Sequence, residues 1–219
     1  ELIATTALIA SDEATVEENR ISGSFSVVSF GLEADIILLP TAAGVFIIKR
    51  PEAGISIEPR ETTTGYSQAA LTMNSVDARQ LGTVSSEDFA DWLSLRIDSA
   101  ICSIMSGACE ASLNLASEYT KIRQQFDRAI ATFQAVSQRA GDAYIDTEAI
   151  RLTSRQAAWR ISAGLPAAEK VAIARWWASE AGFRVVHAAT HLHGGVGVDR
   201  DYPLHRYFLM ARQLELTMG

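Results

Sequence analysis

The stretch HLHGGVGVDRDYPLHRYF, residues 191–208, ends one apolar helical pattern on a glycine pair and opens the next behind a Tyr-Pro corner. Glycine is the usual αL residue that closes a helix, and Gly194 or Gly195 fills that position. A cap has no use for the second glycine, but bare backbone there lets an anionic group approach N–H donors closely. Upstream, the pattern runs back through Val186, Phe183, Trp176 and Val171 to Pro166, a favoured first-turn residue. Downstream, another helix begins near Tyr202 and reaches the C-terminus.

Two more helices precede these. SSED (85–88) offers a serine N-cap with an acidic first turn, followed by a stripe at Trp92, Leu95, Ala100, Ile101, Ile104, Ala108, Ala111 and Leu115, to about Gln124. The next helix runs from about 130 to 162, with Ile130, Phe133, Val136, Ala140, Tyr144, Ile150 and Leu152 as its apolar positions. Helices of roughly 25–40 residues far exceed the average of about 12 and imply an antiparallel bundle. Ahead of about Gly82 the texture is β. SFSVVSF (24–30), DIILLP (35–40), GVFIIKR (44–50), GISIEPR (54–60) and QAALTMN (68–74) are short runs of Val, Ile and Phe between turn residues, as in a small sandwich or barrel. The expected architecture is α+β: a small antiparallel β domain over residues 1–82, then a C-terminal antiparallel four-helix bundle over 83–219.

With 48% apolar and 21% charged residues in 219, the chain has the composition of a globular protein. Its net charge of -7 argues against a nucleic-acid surface. ELIATTALIASDEA lacks a basic n-region and does not read as a signal peptide, and no run approaches the roughly 20 apolar residues of a membrane span. A cytoplasmic location is the expectation. Cys102 and Cys109, seven apart on one helix, lie about 10 Å apart along its axis, too far for a disulfide. His187 and His191 have a spacing two metal ligands could use, but HAATH lacks the glutamate of HExxH, so no metal is expected. GGVGV closes a helix, whereas a dinucleotide fingerprint follows a strand. Trp176 and Trp177 cannot share one helical face; one belongs to the core, and Trp177 is expected at buried subunit contacts.

Together these segments resemble the acyl-CoA dehydrogenases. EYTKIRQQFDRAIATFQAV (118–136) is similar to that family's R-x-x-F-G…Q stretch, with Asp127 in place of the glycine, and Arg175 stands where a lysine is usual. HLHGGVGVDRDYPLHRY resembles its G-G-x-G…Y-P stretch, and ISGSFSVVSFGLEADIILLP resembles its flavin-facing hairpin, with Val27 for an aromatic, Phe30 for an asparagine and only Ser29 keeping a hydroxyl. The family's N-terminal helical domain has no counterpart in these 219 residues; residues 1–8 resemble the run entering the middle domain.

The resemblance implies FAD-dependent 2,3-desaturation of a CoA thioester, in which a carboxylate removes the α-proton. Counting from Tyr202-Pro203 places that base at Met218, before Gly219. The family's other base position, counted back from Arg123, falls on Ile97, beside Asp98 where an arginine is usual. Neither Met218 nor Ile97 can accept a proton. What the resemblance retains is the set reaching across a subunit interface to the neighbour's FAD: Arg123, Gln125, Phe126, Gln134, His191, Leu192, His193, Gly194 and Gly195. The chain thus resembles the base-less subunits of actinobacterial heteromeric enzymes, α2β2 assemblies that act on steroid side-chain CoA thioesters with FAD shared with a catalytic partner. Two alternatives stand beside this: a competent enzyme with Glu215, three residues before Met218, as a displaced base, and a scaffold that binds no flavin.

Overall fold

A computed structural model describes residues 2–6, 14–82 and 85–218. The chain folds into two compact units, Glu1–Leu93 and Ser94–Gly219, so the division falls inside the first long helix.

The first unit holds strands β1 (Ala4–Thr6), β2 (Thr15–Glu17), β3 (Arg20–Ser29), β4 (Ile36–Thr41), β5 (Gly44–Lys49), β6 (Ile55–Arg60), β7 (Gln68–Asp77) and β8 (Arg79–Gln80). They form two four-stranded sheets, β1-β4-β5-β8 and β2-β3-β7-β6. Ile37, Leu39, Phe46 and Ile48 of one sheet and Ile21, Phe25, Val28, Leu71 and Met73 of the other alternate with outward residues and make one core, the pattern of a sandwich. The expectation of an antiparallel domain needs one correction. β1 pairs with β4 in parallel, Ala4 opposite Ile36, a strand too short for its period to show in the sequence. The long β3–β7 ladder is broken by register shifts between Ile21 and Gly23 and between Phe25 and Val28.

The helices are α1 (Ser86–Ile122), α2 (Gln134–Ser162), α3 (Ala168–His193) and α4 (Leu204–Met218). The Ser85 hydroxyl accepts the Asp88 N–H at 3.1 Å, the N-cap that SSED announces. α2 ends in a Schellman motif: Gly164 sits at φ 65, the Leu165 N–H bonds the Arg160 carbonyl at 2.9 Å, and the Gly164 N–H bonds that of Ile161 at 3.2 Å.

The buried faces differ in phase from those expected. α1 turns inward Cys102, Met105, Cys109, Ser112 and Ala116, and leaves Trp92 and Ile104 about half exposed. α2 buries Ala143, Thr147, Ile150, Ser154 and Ala157, while Tyr144 and Leu152 face outward. Small side chains let the helices approach closely: a Cβ on Gly182 of α3 would lie 2.8 Å from the Met105 sulfur of α1. Trp177 packs against this core and Trp176 is 57% exposed, the reverse of the roles the sequence suggested. Among the described residues no helix is long and apolar enough to cross a membrane.

Candidate functional site

The segment joining α1 to α2 is not a plain loop. Beyond Ile122, strands β9 (Gln124–Gln125) and β10 (Arg128–Ala129) pair as a hairpin whose two-residue turn is Phe126–Asp127. Both turn residues have positive φ, 54° and 60°, the geometry of a type I′ turn. This is the physical reason a glycine suits position 127; aspartate is among the few other residues that tolerate it. The Ile130 N–H closes the hairpin on the Arg123 carbonyl at 2.8 Å. Phe126 is 86% exposed at the tip and meets Phe133 edge-on, and the Arg128 guanidinium lies 4.0 Å above the Phe133 ring.

α3 ends opposite this hairpin. Gly194 takes φ 59 and ψ −136, a glycine region outside the αL conformation a simple cap would adopt. Residues Gly194–Val198 then continue as a 3-10 helix. Gly194 is therefore the conformationally required member of the pair. A Cβ on Gly195 would meet nothing within 4 Å, so the space over its backbone is open. Gly197, the last glycine of the G-G-x-G stretch, is the tight one: its Cβ would lie 2.5 Å from the Thr190 carbonyl oxygen.

His193 is buried and fully engaged. Its Nδ1 lies 2.7 Å from the Ala189 carbonyl, which can only accept, so Nδ1 carries the proton. In the neutral ring Nε2 then accepts the Tyr202 hydroxyl proton at 3.1 Å. Tyr119 of α1 stacks on the same imidazole, with ring centroids 4.6 Å apart. Burial, and secondarily the neighbouring Tyr119, push the Tyr202 phenol above its ordinary range and keep it a neutral donor. His193 and Leu192 thus set the shape of the helix end and leave its backbone to meet a ligand.

These parts converge on a cleft of about 580 Å³ whose lining includes Arg123, Gln125, His191, Leu192, His193, Gly194 and Gly195. Phe126 and Gln134, also expected at the site, do not line it; both are exposed, at the hairpin tip and the first residue of α2. The cleft offers one guanidinium, one carboxamide and open glycine backbone, a donor set that fits a phosphate-bearing ligand. The hairpin that presents Arg123 and Gln125 was missed because its strands are too short to show alternation.

The expected base position lies elsewhere in the helical unit. Met218 is 1% exposed and packs in the helical core. It lines a cleft of about 440 Å³ with Leu95, Asp98, Arg175, Trp176 and Glu180. Arg175 reaches the largely buried Asp98 at 3.2 Å, so the two departures from the family pattern pair with each other. Gly219 lies outside the described residues. Glu215 is not in this cleft; it is ion-paired with Arg212 one turn back. His187 packs between Phe183 and Phe208. Among the described residues no three His, Cys, Asp or Glu side chains converge as a metal site.

A family profile described as "Acyl-CoA dehydrogenase, C-terminal domain" matches residues 97–219. The chain is also 39% identical over 212 residues to acyl-CoA dehydrogenase FadE27 of Mycobacterium tuberculosis, covering 91% of this chain and 57% of that protein. This chain belongs to the acyl-CoA dehydrogenase family. Among solved structures, the ChsE4-ChsE5 complex from Mycobacterium tuberculosis matches with a TM-score of 0.91 at 38% identity, over 100% of this chain and 63% of that one. A Tcur3481-Tcur3483 steroid ACAD variant matches with a TM-score of 0.84 at 33% identity, over 100% of this chain and 59% of that one. The chain therefore spans about three-fifths of the length of these relatives. The residues that the family profile matches lie in the helical unit, and the β unit precedes them in the chain.

Proposed function

We propose that this chain is the base-less subunit of a heteromeric FAD-dependent acyl-CoA dehydrogenase, an α2β2 assembly with a homologous catalytic subunit. Its substrate is a CoA thioester of the steroid side-chain class, a reading supported by the similarity to a steroid ACAD. One observation carries the reading: the counted base position is a thioether buried to 1% exposure in the core, while the cleft at Arg123 and Gly195 stays open with its donors free of any competing carboxylate in its lining.

FAD, when bound, supplies the hydride acceptor, and the residues present fit its anionic portion rather than its reacting ring. Arg123 would neutralise phosphate oxygens, the Gln125 amide would meet polar edges, and the backbone of Gly194 and Gly195 would approach without a Cβ in the way. His191 stands exposed on the last turn of α3 beside them. Phe126 and Gln134 flank the cleft as exposed groups available to a ligand held mainly by the partner. The α-proton is then removed in the partner's pocket, since Met218 and Ile97 cannot take it and Glu215 is held by Arg212 outside the Met218 cleft.

The test is the flavin-to-protein ratio and acyl-CoA turnover of the chain alone and with its catalytic partner. The expected result is no turnover alone, and a yellow, active complex on co-production. In that complex Arg123→Ala should weaken FAD retention by about 1–3 kcal/mol, the range for a lost charged hydrogen bond. Turnover by the isolated chain, or a colourless active complex, would refute the proposal.

A further inference from the structure

Three helices meet at one side chain whose polar atoms are all engaged inside the protein. His193 sits in the last turn of α3 and is buried to 3% exposure. Its Nδ1 donates to the Ala189 carbonyl and its Nε2 accepts from the Tyr202 hydroxyl, so neither ring nitrogen is left for a bound molecule. Tyr119 of α1 stacks on the ring with centroids 4.6 Å apart, and the Tyr202 ring, two residues before α4, lies 5.1 Å away.

The two tyrosines lead to opposite sides of the Arg123 cleft. The Tyr119 carbonyl accepts the Arg123 N–H at 2.8 Å, the bond that joins the hairpin to the end of α1. Tyr202 closes the segment that follows the glycines: its N–H bonds the Asp199 carbonyl at 3.3 Å, and its carbonyl meets Nδ1 of His205 on α4 at 2.7 Å. Between them Gly194 and Gly195 are exposed and have no side chains with which to anchor themselves. The imidazole thus ties the guanidinium side of the cleft and the far end of the glycine segment to the helix from which that segment springs. A phenylalanine at 193 would keep a ring under Tyr119 but leave the half-buried Tyr202 hydroxyl without its acceptor. Of the neutral aromatic side chains, only imidazole donates at one edge and accepts at the other.

We propose that His193, through Tyr119 and Tyr202, is a positioning residue of the Arg123 cleft: it sets the Gly194–Gly195 backbone at the separation from Arg123 that a phosphate-bearing ligand spans. The inference rests on the reading that this cleft meets FAD, and it gives His193 no hydrogen bond to that ligand.

The experiment compares two measurements across variants: FAD release from the complex with a homologous catalytic subunit, read as the rise in flavin fluorescence on dilution, and the urea midpoint of the full chain. His193→Phe and Tyr202→Phe should each weaken FAD retention about tenfold, the scale of one hydrogen bond. The double variant should lose no more than the weaker-binding single, because both changes remove the same bond; additive losses would contradict the proposal. Arg184→Ala, which disturbs the bundle away from this cleft, should lower the urea midpoint and leave retention unchanged. If it releases FAD as readily as His193→Phe does, retention merely follows stability and the proposal falls. Unchanged retention in both single variants overturns it whatever happens to the midpoint. Should His193→Phe fail to assemble, Tyr202→Phe, which removes one oxygen, decides alone. Arg123→Ala in the same assay separates this inference from the reading beneath it. Retention that survives Arg123→Ala overturns both; retention lost there but kept in His193→Phe and Tyr202→Phe overturns this inference alone.

Discussion

Gly195 and Gly197 lie two residues apart in one 3-10 turn, yet they do different things. The Gly197 Cα faces the Thr190 carbonyl, and a methyl there would sit 2.5 Å from a backbone oxygen that cannot swing aside. Gly197→Ala should therefore destabilise the chain by about 1–3 kcal/mol, measured as a lowered urea midpoint. Gly195→Ala adds a methyl to open space and should change stability by less than about 0.5 kcal/mol. Its effect belongs to flavin retention in the complex. A large stability loss at 195 would show that this glycine serves the fold. At His187 the question is protonation. Burial first, then the Arg212 guanidinium, hold its imidazolium below the usual range, with Glu215 acting the other way. The unfolded chain thus binds the proton more readily. The stability tied to the neutral ring is present above about pH 6.5 and is lost as pH falls toward the lowered folded value. His187→Gln should flatten the unfolding midpoint over that acid interval. An unchanged pH profile would remove His187 from the account.

Between elements, two features decide how the bundle holds. Arg184 of α3 makes two 2.8 Å bonds to Asp146 of α2, and the carboxylate is the sheltered partner, 15% exposed against 47% for the arginine. Removing the arginine strands a poorly solvated charge, whereas removing the aspartate frees a cation already half in water. Arg184→Ala should cost about 1–3 kcal/mol, and Asp146→Ala about 1 kcal/mol or less. Chemical denaturation of both variants checks the order, and equal losses would contradict it. The thiols report on the same interior. Burial pushes Cys102 and Cys109 both up to about 12, aided by the charges of Asp98 and Asp146 respectively. Neither should react with a disulfide reagent near pH 8 in the folded chain, and both should react once guanidinium unfolds it. A fast-reacting thiol in the native protein would mean α1 does not pack as described.

For the whole molecule, the prediction is one of assembly: this chain should lack dehydrogenase activity until joined by a homologous subunit that supplies a base, with flavin content rising in step. The bundle's exposed Ile145, Leu152, Trp159 and Trp176 fit a protein that finishes its packing in a complex. The sequence by itself determined the order of β unit and long helices, because runs of Val, Ile and Phe and an uninterrupted 3.6-residue pattern are local signals. It also set the cap at Ser85 and the end of α3 at the glycine pair. Tertiary structure alone decided which helical face is inside. Sequence periodicity weights large apolar residues, but close helix contact selects small ones, so Cys, Ser and Ala went in while Ile104, Leu152 and Trp176 stayed out. It also decided that Arg123, Gln125 and the end of α3 share one cleft, because a two-residue turn at Phe126–Asp127 folds distant parts of the chain together by backbone geometry that no residue pattern announces.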